Sequence, residues 1–205
     1  MLSKSKIIII SAPSGAGKST LISMIRKSYA DIGFPISHTT RSKRETEENG
    51  KNYHFICETE FQQLKESSYF VESAFIYGFH YGTSYDSINK LLLLKGHILL
   101  EIDWQGARLI RERFKNTASI FIMPPNFITL KERLSSRNLD SQASISKRLS
   151  EAKEDMAKWV EYDYAVVNDD LKACYDNLIQ IIFNQDPSFL VSDPMVMSKM
   201  NNAIS

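Results

Sequence analysis

The sequence predicts an α/β fold with a central parallel sheet flanked by helices, and three features carry that prediction. Residues Lys6–Ser11 form a β-branched apolar run that ends in a glycine-rich segment. The segment after it places Leu21, Ile22, Ile25 and Tyr29 at spacings of three and four, as a helix with one buried face does. Beyond residue 83, strand-like and helix-like segments alternate again, the rhythm of repeated βα units.

Taken in order, the first apolar run is too short for a signal peptide and leads directly into the glycine loop, so it reads as a buried strand. Residues 35–82 change in texture. Short polar stretches such as 41–52 alternate with the aromatic segments 53–55 and 69–75, which predicts a small mixed α/β insertion. A helix is then expected over 84–94, a strand over 97–103, a helix over 104–114 and a strand over 118–123, punctuated by Pro124-Pro125. Residues 127–137 and 145–159 read as two helices separated by the polar segment 138–144. In the second of them Ile145, Leu149, Ala152, Met156 and Trp159 share one apolar face. Tyr164–Val167 is a further strand and 171–183 a closing helix, whereas Pro187, Pro194 and weak periodicity predict a poorly ordered tail over 185–205. The resulting plan has a core from 1–34, 83–124 and 160–184.

Composition narrows the function. A formal charge of +1 over 205 residues gives no global basic excess for tracking nucleic acid, so any anion site must be built locally. No stretch is long and apolar enough for a transmembrane helix. The two cysteines lie far apart and form no metal-ligand pattern, which suits a reducing compartment and a cytoplasmic protein.

The strongest chemical signal is Ala12-Pro13-Ser14-Gly15-Ala16-Gly17-Lys18-Ser19-Thr20. It is a P-loop, G-x-x-x-x-G-K-[ST], with Ala12 at the first glycine position. Gly15 and Gly17 permit backbone conformations that turn N–H groups toward one point, and the helix N-terminus adds partial positive charge. Lys18 is placed to reach the β- and γ-phosphates of ATP, and the Ser19 hydroxyl to hold Mg²⁺. Ala12 fits this loop provided its φ is negative.

A second anion site is suggested by Ser37-His38-Thr39-Thr40-Arg41-Ser42-Lys43-Arg44, which crowds hydroxyls and cations into one short run. With Tyr53 and Tyr81, Arg41 and Arg44 suit a clamp on a phosphomonoester. The same run taken alone also fits a solvated basic loop.

The order of motifs is more specific. The glycine loop, Ser37 to Arg41, Gly50-Lys51-Asn52-Tyr53-His54-Phe55, Tyr81-Gly82-Thr83-Ser84, Glu101-Ile102-Asp103-Trp104-Gln105-Gly106 and Val167-Asn168-Asp169-Asp170 together resemble the guanylate kinase family, from about Ile7 to Phe183. The resemblance implies a P-loop NTPase fold with a GMP-binding insertion at 35–82 and a helical lid at 125–159. It implies ATP as phosphoryl donor, Mg²⁺ as cofactor and GMP or dGMP as acceptor. By it, Arg41, Arg44, Tyr53 and Tyr81 bind the acceptor phosphate, and Ser37, Glu72, Thr83 and Asp103 read guanine. A carboxylate suits that task, because it only accepts hydrogen bonds and guanine offers adjacent donors at N1 and N2.

The resemblance also assigns Glu101 to the GMP site, in contact with the nucleotide or with metal-bound water, although it departs from the family's aspartate, keeping the charge with an added methylene. Acidic residues at the end of a strand, as Glu101 and Asp103 are, also serve as caps for the next helix. Arg133 and Arg137, four apart on a predicted helix, repel weakly unless a polyphosphate lies between them. The resemblance assigns Arg133, Arg137 and Arg148 to ATP, with Lys18, Arg41, Arg137 and Arg148 as the catalytic cations, and puts Asn168 near the adenine. Two rivals remain: a non-catalytic module of guanylate-kinase type that binds peptides, and a P-loop kinase for another phosphorylated acceptor. The first lacks a phosphate-binding loop and the second a guanine-reading set. Oligomeric state does not follow from the sequence.

Overall fold

The computed structural model describes residues 6–76, 78–135 and 142–204. In chain order the elements begin with β1 (Lys6–Ser11), α1 (Lys18–Ser28), β2 (Ile32–Gly33), β3 (His38–Thr39), β4 (His54–Phe55), α2 (Glu58–Glu66), β5 (Phe70–Ile76) and β6 (Phe79–Ser84). They continue with α3 (Tyr85–Leu94), β7 (His97–Glu101), α4 (Trp104–Arg113), β8 (Thr117–Met123), α5 (Phe127–Ser135), α6 (Gln142–Met156), β9 (Tyr164–Val167), α7 (Leu171–Ile179) and α8 (Pro194–Ile204). A five-stranded sheet runs β2–β7–β1–β8–β9, and a four-stranded mixed sheet runs β4–β3–β6–β5. The α/β plan and the mixed insertion are therefore both present.

The chain forms two compact units, one centred on Ala30–Thr117 and one built from Ile8–Tyr29 with Ala118–Ser205. In the first, β2 pairs parallel with β7 in the register Ile32–His97 and Gly33–Ile98. The small sheet hangs on β6, which runs antiparallel to β5 and to β3, while β3 pairs parallel with β4. Helix α4 packs against β5. Phe61 from α2 stacks on Phe70 of β5 with ring centroids 4.6 Å apart. That helix was not expected from the sequence, since Phe61 is its single buried residue and one anchor makes no periodic pattern.

In the second unit, β8 and β9 run parallel, pairing Ile120 with Tyr164 through Met123 with Val167. Both strands are almost wholly buried, as strands of a parallel sheet covered on both faces should be, although β9 is the edge strand. Leu21, Ile22 and Ile25 are the buried residues of α1, as their spacing implied. Ala152, Met156 and Trp159 are buried too, the last on a 3-10 turn at Ala157–Glu161 that ends α6. No helix among the described residues is long and apolar enough to cross a membrane.

The expectation of a poorly ordered tail is corrected by α8, which buries Val196, Met200 and Ala203 and packs against β9. Pro194 does not break this helix because it is the first helical residue, where a fixed φ and a missing N–H cost nothing. Asp193 caps it, accepting from the backbone N–H groups of Met195 at 2.8 Å and Val196 at 3.3 Å. Met200 is 1 % exposed. We expect Met200→Ala to destabilise the protein by about 2–4 kcal/mol. Thermal unfolding followed by circular dichroism should then show a midpoint lower by roughly 5–15 °C; an unchanged midpoint would mean that α8 contributes no stability.

Candidate active site

The glycine loop lies wholly in the second unit, between β1 and α1. Gly15 and Gly17 have φ of +89° and +94°, the left-handed region that favours glycine, and Ala12 is not among the positive-φ residues. The proviso on Ala12 is thus met. Gly17 opens α1 with no side chain to accept from the first-turn amides, and that turn holds no acidic residue. Those N–H groups and the helix dipole are suited to an outside anion. Lys18 is the first residue of α1 and Ser19 the second, so ammonium, hydroxyl and backbone donors stand within one turn. One hydroxyl is a poor cage for a metal by itself. It fits Mg²⁺, which takes most of its ligands from water and nucleotide phosphate.

Asn168 braces this loop from behind. Its side-chain amide donates to the Ala16 carbonyl at 2.7 Å, and its backbone N–H donates to Met123 at 2.8 Å. Its backbone oxygen accepts from Arg133 Nη2 at 3.1 Å. A Cβ on Gly17 would collide with the Asn168 amide, which requires glycine there for a second reason. The resemblance put Asn168 near adenine; here its side-chain amide bonds the loop. Arg133 sits on α5, whose Leu130 and Leu134 lie against the bare Cα of Gly15. Arg137 lies outside the described residues, as does the side chain of Arg148 in α6.

The other candidate residues lie in the first unit. Ser37, Thr83 and Glu72 form a hydrogen-bonded chain: the Ser37 and Thr83 hydroxyls are 2.9 Å apart, and Thr83 Oγ1 donates to Glu72 Oε1 at 2.5 Å. Glu72 faces Thr83 across the β5–β6 pair. It is 4 % exposed. Burial raises its pKa to about 7; the Thr83 hydrogen bond opposes that shift and the Asp103 charge adds to it. Gly106 on α4 makes room for the carboxylate, since a Cβ there would come within 2.7 Å of Glu72 Oε2. The sequence named Gly106 within a motif but assigned it no task.

Asp103 is the N-cap of α4, its Oδ1 accepting from the Gly106 N–H at 2.9 Å and its Oδ2 from Gln105 Nε2 at 3.2 Å. The capping alternative weighed for this residue matches these bonds. Glu101 ends β7 on an exposed position.

The phosphate-clamp candidates converge in part. Arg41 lies 5.6 Å from the centroid of Tyr53, and the Tyr53 and Tyr81 rings are 6.0 Å apart at 67°. Burial, with help from the Glu101 charge, pushes the Tyr53 phenol up to about 12, so it remains a hydrogen-bond donor at any physiological pH. Arg44 is exposed. One partner escaped the sequence reading: Glu47 takes the Arg41 guanidinium in a two-point contact, at 2.7 Å to Nη2 and 3.0 Å to Nη1.

Comparison with known proteins gives a consistent answer. Residues 4–185 match the family model described as guanylate kinase. The chain is 49% identical to the guanylate kinase of Coxiella burnetii over 181 residues, 88% of each chain. It is 41% identical over 183 residues to that of Chromohalobacter salexigens, covering 89% of this chain and 85% of the relative. Among solved structures, the crystal structure of guanylate kinase from Anaplasma phagocytophilum matches with a TM-score of 0.72 at 30% identity, over 89% of this chain and 87% of that one.

Proposed function

The chain belongs to the guanylate kinase family, and from that premise we propose how its residues divide the work of moving the γ-phosphoryl group of ATP to GMP, the reaction ATP + GMP → ADP + GDP that it catalyses. The observation that carries the acceptor assignment is the buried chain Ser37–Thr83–Glu72. A buried carboxylate is a costly thing to keep unless a ligand pairs it. Guanine supplies the matching donors and adenine does not.

No general base is required. The second pKa of a phosphate monoester is about 6, so at neutral pH the acceptor is largely a dianion and already nucleophilic. An oxygen of the GMP phosphate bonds to the γ-phosphorus while the bond to the β,γ-bridging oxygen breaks, and ADP leaves with that electron pair. The obstacle is repulsion between two polyanions that must be aligned. Lys18 and the loop amides bear on the β- and γ-phosphates, and Arg137 and Arg148, with Arg133, add charge from 125–159, the segment we propose as the lid. Arg41, Arg44, Tyr53 and Tyr81 hold the acceptor phosphate. Mg²⁺ held through Ser19 would neutralise charge on the nucleotide phosphates. Asn168 acts through the loop that it braces. The two thiols are unpaired, Cys57 exposed and Cys174 buried, in keeping with a cytoplasmic protein.

ADP release followed with GMP, dGMP, AMP and ribose phosphates as acceptors tests this reading. GMP and dGMP should be used, and AMP should be slower by about 10⁴-fold in kcat/KM. Comparable turnover of AMP would overturn it.

A further inference from the structure

We propose that Glu47 is the positioning residue of the acceptor-phosphate site, locking the Arg41 guanidinium so that its remaining edge and the Tyr81 hydroxyl meet the GMP phosphate; this rests on the acceptor assignment above. A guanidinium has five N–H donors in a rigid fork. Glu47 takes one from each terminal nitrogen, and the Ser42 carbonyl takes another from Nη1 at 2.7 Å. Tyr81 is a near neighbour: its ring lies 6.0 Å from that of Tyr53, and the Arg41 guanidinium lies 5.6 Å from the Tyr53 centroid. A phenol has a proton to donate, so Tyr81 and the free edge of Arg41 can address one phosphate group together. The bidentate contact expected of Arg41 toward phosphate is thus already made, and made to protein.

The alternative is that Glu47 is a stand-in that leaves when phosphate arrives. Its anchoring argues against this. Glu47 Oε2 also accepts from the Arg44 backbone N–H at 2.8 Å, its carbonyl accepts from Lys43 Nζ at 2.9 Å, and its N–H donates to the Arg44 carbonyl at 3.1 Å. These bonds build Glu47 into the turn, so its carboxylate is held in place where it meets the Arg41 guanidinium. Only 13% of its side chain is exposed, against 14% for Arg41. The Arg41 hydrogen bonds hold its carboxyl below the ordinary range, and so it stays ionised wherever the enzyme is active.

Steady-state kinetics of Glu47→Gln with GMP, together with binding of guanosine as a phosphate-free control, separates the possibilities. We expect KM for GMP to rise about 10- to 100-fold, because a charge-assisted pair is lost. KM for ATP and the affinity for guanosine should stay within about twofold of wild type. Unchanged or tighter GMP binding would overturn the proposal, the latter by making Glu47 a competitor of phosphate. Equal weakening toward guanosine would overturn it as well, since that reports general damage to the small sheet. A double-mutant cycle adds an independent check: in an Arg41→Ala background, Glu47→Gln should raise KM for GMP no further, and additive effects would refute action through Arg41. If wild-type enzyme fails to use GMP, the acceptor assignment itself fails. If wild type is active and Glu47→Gln equals it, only the role of Glu47 does.

Discussion

Replacing Lys18 with alanine should lower kcat by at least ~100-fold while leaving the fold intact, a loss of about 3 kcal/mol or more of transition-state stabilisation. Lys18 begins α1, and the buried face of that helix is Leu21, Ile22 and Ile25, so its side chain is not what holds the helix down. Alanine is moreover a strong helix former, and the substitution leaves the first turn of α1 at least as favourable as before. On the proposed assignment, what disappears is a cation beside the β,γ-bridge, where negative charge moves during transfer. The loop amides and Gly17 remain, so nucleotide binding should weaken less than turnover falls. Rapid-quench or coupled assays for kcat, beside circular dichroism for the fold, measure both. A near-wild-type rate in a folded variant would remove Lys18 from the reaction.

The second large effect is expected at Glu72. Glu72→Gln exchanges a double acceptor for a group that is half donor, and one of the two guanine donors then faces an N–H. We expect kcat/KM for GMP to fall by about 10³–10⁴-fold with little change in KM for ATP. The pH dependence should change as well. In the free enzyme burial lifts Glu72 to about 7, so below that pH the carboxyl is protonated and can no longer accept from both donors. GMP affinity in the wild type should therefore weaken as pH falls through 7, and that limb should be missing from the glutamine variant. Stability moves in the opposite sense. A carboxyl whose folded pKa lies above its ordinary value of 4.5 makes the native state the better proton binder between 4.5 and 7, so its charge is a native-state cost above pH 7. Glu72→Gln should raise the thermal midpoint at pH 8, and the gain should vanish as pH falls toward 4.5. A midpoint unchanged at pH 8 would show that the buried carboxylate is not strained.

The two sites differed in how far they could be read from the chain. The glycine loop is contiguous, and its chemistry follows from local constraints: glycines where φ must be positive, a lysine and a hydroxyl at the start of a helix. The proposed guanine-reading set is scattered over Ser37, Glu72 and Thr83, and only the resemblance of ordered motifs brought its members together. Its chemistry became physical once the β5–β6 pairing put Glu72 opposite Thr83 and the bare Cα of Gly106 left space for the carboxylate. Glu47 was out of reach of sequence reasoning. Glu45, Glu47 and Glu48 all follow the arginines, none at helical spacing from Arg41 in a known helix, and nothing in the chain selects among them. For α8 the signal was present, Val196, Met200 and Ala203 recurring at four and three, but Pro194 was weighed as a breaker when its place at the first helical residue makes it a starter.

Short-range physics therefore decided most of the elements and the phosphate-binding loop, because backbone sterics, amphipathic spacing and glycine's freedom act within a few residues. The folded chain decided which carboxylate faces which partner wherever no periodic pattern gives a cue: Glu72 against Thr83 across the β5–β6 pair and Glu47 against Arg41 in an irregular turn, whereas the Asp103 cap of α4, three residues from its partner, was within reach of the sequence. A charge has no preferred partner along an extended chain. It acquires one only when burial removes water and leaves a single donor within reach.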